Sequence, residues 1–160
     1  MRDLPWRRAD GGGDGTTRNA YHALVAEVMA QQTQISRVVE YFGRFISRFP
    51  TMESLAGAAQ DDVLAAWSGL GYYRRARLLH AAAREIVSAH AGRVPRELES
   101  LRALPGRGRY TAGAIASIVY GQSAAIVDGN IRRVLMRVEG REMAENSAGA
   151  GEAWAWERAE

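Results

Sequence analysis

Cysteine and lysine are both missing from this 160-residue chain, and each absence closes off chemistry. Without cysteine there is no disulfide framework, no thiol nucleophile and no thiolate-held cluster. Without lysine there is no ε-amine to form a Schiff base with a carbonyl. No apolar run approaches the roughly 18 residues that a membrane span needs, and no signal-peptide pattern opens the chain. Strand signals are nearly absent too, with Ala124 to Val127 the one apolar run that reads as extended. A hydrophobic content of 47% nevertheless fits a globular chain long enough to bury a core unaided. The expectation is a soluble, cytoplasmic monomer with no membrane association.

What is present is arginine. All 21 basic residues are Arg, and they are unevenly opposed. Residues 1–138 carry 19 Arg against 12 acids, a net of +7, while the remaining residues carry a net of −4. A basic body suggests a polyanionic partner, although arginine richness fits a genomic base bias equally well. Charge alone does not decide.

Apolar periodicity writes an all-α bundle. Residues 1–18 read as a loop-like lead with glycines at 11–13. Asn19 is the expected N-cap of a helix through Tyr21, Leu24, Val25 and Val28. A second helix carries Val38, Phe42, Phe45 and Phe49 and stops at Pro50. Thr51 or Ser54 starts a short helix, and Asp61 is the expected cap of another. A long helix spans about 73–90, Pro95 opens a shorter one, and an Ala-rich helix covers about 109–120. The last clear helix is expected from Ile131 to Val138. The compact core is therefore placed at 19–138. Residues 139–160, with a weak helical pattern at Trp154 and Trp156, read as the start of a further segment that is cut off.

Four strings carry chemistry. In Leu104-Pro-Gly-Arg-Gly-Arg-Tyr-Thr-Ala, Gly106 and Gly108 allow a tight turn that leaves amide N–H groups unblocked at a helix start. Amides and helix dipole together make an anion site, and in a basic protein a DNA phosphate is the natural anion. Alone, Gly-x-Gly is an ordinary helix corner. Twenty residues on stands Ile126-Val-Asp-Gly-Asn-Ile-Arg-Arg-Val. Asp128 there is either a plain N-cap or a carboxylate held at a helix start, where it can face a developing cation. In Val25-Ala-Glu-Val-Met-Ala-Gln-Gln-Thr-Gln, Glu27 lies among apolar residues, so desolvation should raise its pKa toward a general-acid range; an exposed helix glutamate is the bland alternative. Finally, Trp67-Ser-Gly-Leu-Gly-Tyr-Tyr-Arg-Arg-Ala-Arg joins a possible wedge (Leu70, Tyr72) to a possible phosphate clamp (Arg74, Arg75, Arg77), with Tyr73 read as core. Flipping a base leaves a gap that such a wedge fills.

Together these strings resemble the helix-hairpin-helix DNA glycosylase superfamily. Within it they are similar to the adenine DNA glycosylases, which remove adenine mispaired with 8-oxoguanine. The resemblance runs to about Val138. It implies that Glu27 protonates the adenine and then helps activate water, and that Asp128 stabilises the oxocarbenium-like sugar. It also implies that Gln31 and Gln32 insert near the distorted pair and that Tyr72 intercalates. Leu4-Pro-Trp-Arg matches a family string lining the adenine pocket, which assigns Trp6 and Arg7 to the substrate. Tyr110 stands where strand-nicking relatives carry a lysine, implying a monofunctional enzyme acting on double-stranded DNA. Arg107 departs from the pattern by replacing a hydrophobic residue, and an arginine there could add a phosphate contact. The family's four-cysteine 4Fe-4S cluster, a further adenine-contacting acid and the 8-oxoguanine-reading domain have no counterpart in these residues. A fragment without a cofactor of its own is expected. Two alternatives remain: a non-catalytic DNA-binding module, and a glycosylase of the same superfamily for a damaged pyrimidine.

Overall fold

In a computed structural model of the protein, residues 4–7, 19–140 and 148–159 are described. The glycines at 11–13 lie outside them. A single 3-10 turn, Pro5–Arg7, precedes helices α1 (Ala20–Ala30), α2 (Ile35–Arg48), α3 (Met52–Ala56), α4 (Gln60–Ala66) and α5 (Arg74–His90). Then follow α6 (Leu98–Ala103), α7 (Arg109–Ile118), α8 (Gly129–Val138) and α9 (Ala148–Ala159). No strand occurs among the described residues, and the Ala124 to Val127 run is irregular chain. The fold is all-α.

Short polar residues start several helices as their chemistry dictates. The Asn19 side chain accepts the His22 amide, and Thr51 and Ser54 form a reciprocal capping box. Asp61 does not cap α4. The helix begins from Ala59, which leaves Asp61 and Asp62 in the first turn, where they favour the helix dipole without closing it. Likewise α8 begins at Gly129 rather than Ile131, because Asp128 is its cap.

The innermost helix is α1, with eight of its eleven residues buried, and α2, α5 and α7 pack around it. Beneath it Phe45 meets Trp67 and Phe49 edge-on, at ring-centre distances of 5.8 and 5.1 Å. The Tyr21 hydroxyl donates to the Phe49 carbonyl at 2.7 Å, tying α1 to the end of α2. The α6–α7 pair forms the hairpin around Gly106–Gly108. A second, small apolar cluster joins Val127 to Ala155 and Trp156, so α9 packs beside the start of α8.

Candidate active site

Three of the expected residues converge from three different helices or their caps. Glu27, half-buried on α1, is raised in pKa by burial, and the nearby Arg7 guanidinium opposes that rise. The Tyr110 phenol, in the first turn of α7, is pushed up by burial and then by the Glu27 and Asp128 carboxylates. Both carboxylates are therefore within electrostatic reach of one phenol. Asp128 caps α8: its Oδ1 accepts the Asn130 and Ile131 amides at 2.9 and 2.7 Å. The structure shows the cap, and the cap geometry is compatible with the catalytic reading. Two fixed amide bonds and a helix dipole hold the carboxylate still, which electrostatic stabilisation requires.

What brings Asp128 to α7 is a glycine that the sequence reading passed over. A Cβ on Gly113 would lie 2.3 Å from the Ala125 carbonyl oxygen, so only glycine lets the 124–128 segment lie this close to the helix. Thr111 was missed as well. Its hydroxyl accepts from Gln31 Nε2 at 3.2 Å, linking the end of α1 to the hairpin helix. Glu152 on α9 also borders a cavity of about 200 Å³ that includes Asp128 and Arg132.

Beside this centre lies an open cleft of about 620 Å³ bordered by Gln31, Gln32, Tyr72, Arg74, Gly108 and Tyr110. Tyr72 projects from it, 62% exposed, at a backbone φ of 50°. Gln32, also exposed, has a φ of 55°. Gly108 is the N-cap of α7, and a Cβ there would meet nothing within 4 Å, so the hairpin is open at that position, while the Arg107 amide is turned back onto the Leu104 carbonyl at 3.1 Å. Gly106 is required for a different reason. Its φ is +71° and a Cβ would sit 2.7 Å from that of Leu78.

Several expectations change. Leu70 is 6% exposed and belongs to the hydrophobic core, so it anchors the loop rather than serving as a wedge. Gly69 (φ 96°) and Gly71 (φ 72°) turn the backbone on either side of it, which sends Leu70 inward while Tyr72 stands out. Tyr73 is exposed rather than core. Arg74 and Arg77 are exposed as a phosphate clamp requires, but Arg75 is buried against backbone carbonyls. Arg107 is 7% exposed, with no hydrogen-bond partner for Nε or Nη2 among the described residues, and burial pushes its guanidinium down to about 10. It faces inward and is not free for a phosphate. Trp6 is buried edge-on against Phe42 at 5.2 Å, whereas Arg7 is exposed and acts on Glu27 through its charge.

An iron–sulfur cluster does not fit these residues. The chain has no cysteine, and no group of three or more His, Cys, Asp or Glu among the described residues is placed to hold a metal.

Comparison with known proteins identifies the family. The model of the HhH-GPD superfamily base excision DNA repair protein matches residues 25–155. The chain is 50% identical over 138 residues to the adenine DNA glycosylase of Rattus norvegicus, covering 86% of this chain and 27% of that protein. The Mycolicibacterium smegmatis adenine DNA glycosylase is 45% identical, with 85% and 44% covered. The chain thus spans less than half the length of these relatives. Among solved structures, a thermostable thymine-DNA glycosylase superposes with a TM-score of 0.81 at 30% identity, over 99% of this chain and 69% of that one. A non-covalent endonuclease III–DNA complex gives 0.72 at 26% identity, over 79% and 60%. With the family model matching most of its length, this chain belongs to the HhH-GPD superfamily of base excision DNA repair proteins.

Proposed function

We propose that this chain is the helical core of a monofunctional adenine DNA glycosylase, which hydrolyses the N-glycosidic bond of adenine mispaired with 8-oxoguanine or guanine in duplex DNA. The observation that carries the reading is the convergence of Glu27 and Asp128 on Tyr110 beside the Tyr72 cleft. Breaking the bond leaves electrons on the base and positive charge on the sugar. A carboxyl whose pKa burial raises holds its proton to a higher pH than an exposed one and can pass it to adenine to make a leaving group, a role that suits Glu27. Asp128, fixed at the start of α8, faces the oxocarbenium-like sugar. Once adenine has left, Glu27 is a carboxylate and can take a proton from the water that attacks the sugar.

Tyr110 occupies the hairpin position at which a lysine would form a Schiff base, and a phenol cannot form one. Base release without strand cleavage follows from this. Tyr72 fills the gap left by the flipped base, and the Gly106 and Gly108 amides with Arg74 and Arg77 hold the backbone. The relatives named adenine DNA glycosylase support the choice of base. The natural competitor is thymine, since the 30% identical structural neighbour is a thymine-DNA glycosylase.

The test is a panel of duplexes holding A opposite 8-oxoguanine, A opposite G, T opposite G and thymine glycol. Release of adenine from the first two without a strand break supports the reading. Release of a pyrimidine, or strand nicking without added base, contradicts it.

A further inference from the structure

Two of the three non-glycine residues with a positive φ among the described residues are Gln32 and Tyr72. Both border the cleft, and they stand on different segments of the chain. A non-glycine residue in this region costs on the order of 1–3 kcal/mol and persists only where its surroundings over-determine it. One buried side chain touches both segments.

Arg75, in the first turn of α5, is 8% exposed and faces no carboxylate hydrogen-bond partner among the described residues. Its Nη1 donates to the carbonyls of Val28 (3.2 Å), Met29 (2.9 Å) and Gln31, which close the end of α1. Its Nη2 donates to those of Leu70 and Gly71, each at 3.3 Å, in the loop that carries Tyr72. The last carbonyls of a helix have no partner within it and carry the negative end of its dipole, so a cation belongs there. The guanidinium also lies 5.4 Å from the Tyr72 ring centre and 5.6 Å from that of Trp67, whose Nε1 donates to Gly71 at 3.1 Å. Only a planar fork with several donors reaches both sets of carbonyls at once.

We propose that Arg75 is a positioning residue that locks the segments 30–34 and 69–73 to each other, so that Gln32 and Tyr72 meet DNA as one rigid wedge. The role in DNA rests on the glycosylase reading above; the mechanical coupling of the two segments does not. A wedge that enters a duplex must hold both tips at a fixed separation before contact, or the ordering of two loose loops is subtracted from the binding.

The test has a DNA-free and a DNA-bound arm. Arg75→Lys keeps the charge but loses the fork. Losing charge-assisted hydrogen bonds is worth about tenfold or more in local opening. Hydrogen exchange should therefore speed up by about that factor in both 30–34 and 69–73, and not in the middle of α5. Loosening of one segment alone, or of neither, overturns the proposal. In the unmodified chain, the hydrogen-bonded amides of Thr33 and Leu70 should share one opening free energy as urea is raised, a measurement that does not depend on the variant folding. Two separate values overturn it as well. In the second arm, 2-aminopurine replaces the adenine opposite 8-oxoguanine at saturating protein. Its fluorescence should rise with the parent and fall back severalfold with Arg75→Lys, while affinity for undamaged duplex stays within about twofold. Coupled segments with unchanged flipping overturn the wedge role. A parent that never unstacks the probe sinks the glycosylase reading instead and leaves the coupling to be judged by exchange alone.

Discussion

Replacing Arg107 with methionine should stabilise the protein, and its surroundings set the size of the gain. The guanidinium is buried at the tip of the α6–α7 hairpin, and among the described residues nothing accepts from Nε or Nη2. Burial alone pushes it down to about 10. Against the ordinary arginine value, that depression corresponds to about 3 kcal/mol against the charged form in the folded state. Methionine removes the charge and keeps an unbranched apolar stem, but leaves the volume of the guanidinium tip unfilled, which returns roughly 1–2 kcal/mol. The net gain should be about 1–2 kcal/mol, or about 3–6 °C in Tm for a chain of this size. Urea and thermal denaturation followed by circular dichroism measure it. A Tm that is unchanged or lower would mean that Arg107 reaches water or an acceptor in solution, and the inward placement would then be wrong.

Gly113→Ala should destabilise by about 1–3 kcal/mol through the clash with the Ala125 carbonyl. It should also cut base release by moving Asp128; denaturation and single-turnover kinetics read the two effects, and a neutral variant would refute the close approach. Tyr72→Ala should weaken binding to mismatched duplex more than to undamaged duplex, because the wedge matters only once a base is flipped. Equal losses in a titration of both would make Tyr72 merely structural. Duplex affinity should fall steeply with salt, log K dropping by about 0.9 per phosphate contact for each tenfold rise. A flat response between low and moderate salt would remove the hairpin and the Arg74–Arg77 face as phosphate contacts.

The helices were legible in the sequence where a short polar residue or a strong apolar period marks them. Asn19, Thr51 and the run from Val38 to Phe49 are such places. The start of α4 was not, because acids favour a first turn as well as a cap. Trp154 and Trp156 gave only a weak period, since much of what surrounds them in α9 is alanine and glycine. At the site, Glu27, Tyr110 and Asp128 were singled out from their strings, and in the fold both carboxylates act on the one phenol. Which way Leu70, Arg75 and Arg107 point could not be read. Backbone φ at Gly69 and Gly71 decides the first, and a set of carbonyls contributed by residues about 45 positions away in the chain decides the second. The inward turn of Arg107 goes against the preference of a charge for water, so no propensity foretells it.

The central claim, that Glu27 is the proton donor to the departing base, is tested by single-turnover adenine release from an A·8-oxoguanine duplex. The assay compares the parent with Glu27→Gln across pH. Because the chain spans 44% of the Mycolicibacterium smegmatis relative, both are best measured also as fusions to the C-terminal remainder of that protein. An amide keeps the shape of the side chain but cannot deliver a proton, so release should fall by about 10²–10⁴-fold while duplex affinity holds. In the parent, Glu27 acts in its protonated form and burial raises its pKa, so the rate should be full below that raised value and decline as pH rises through it. A Glu27→Gln protein that releases adenine at near the parental rate contradicts the account at its first step.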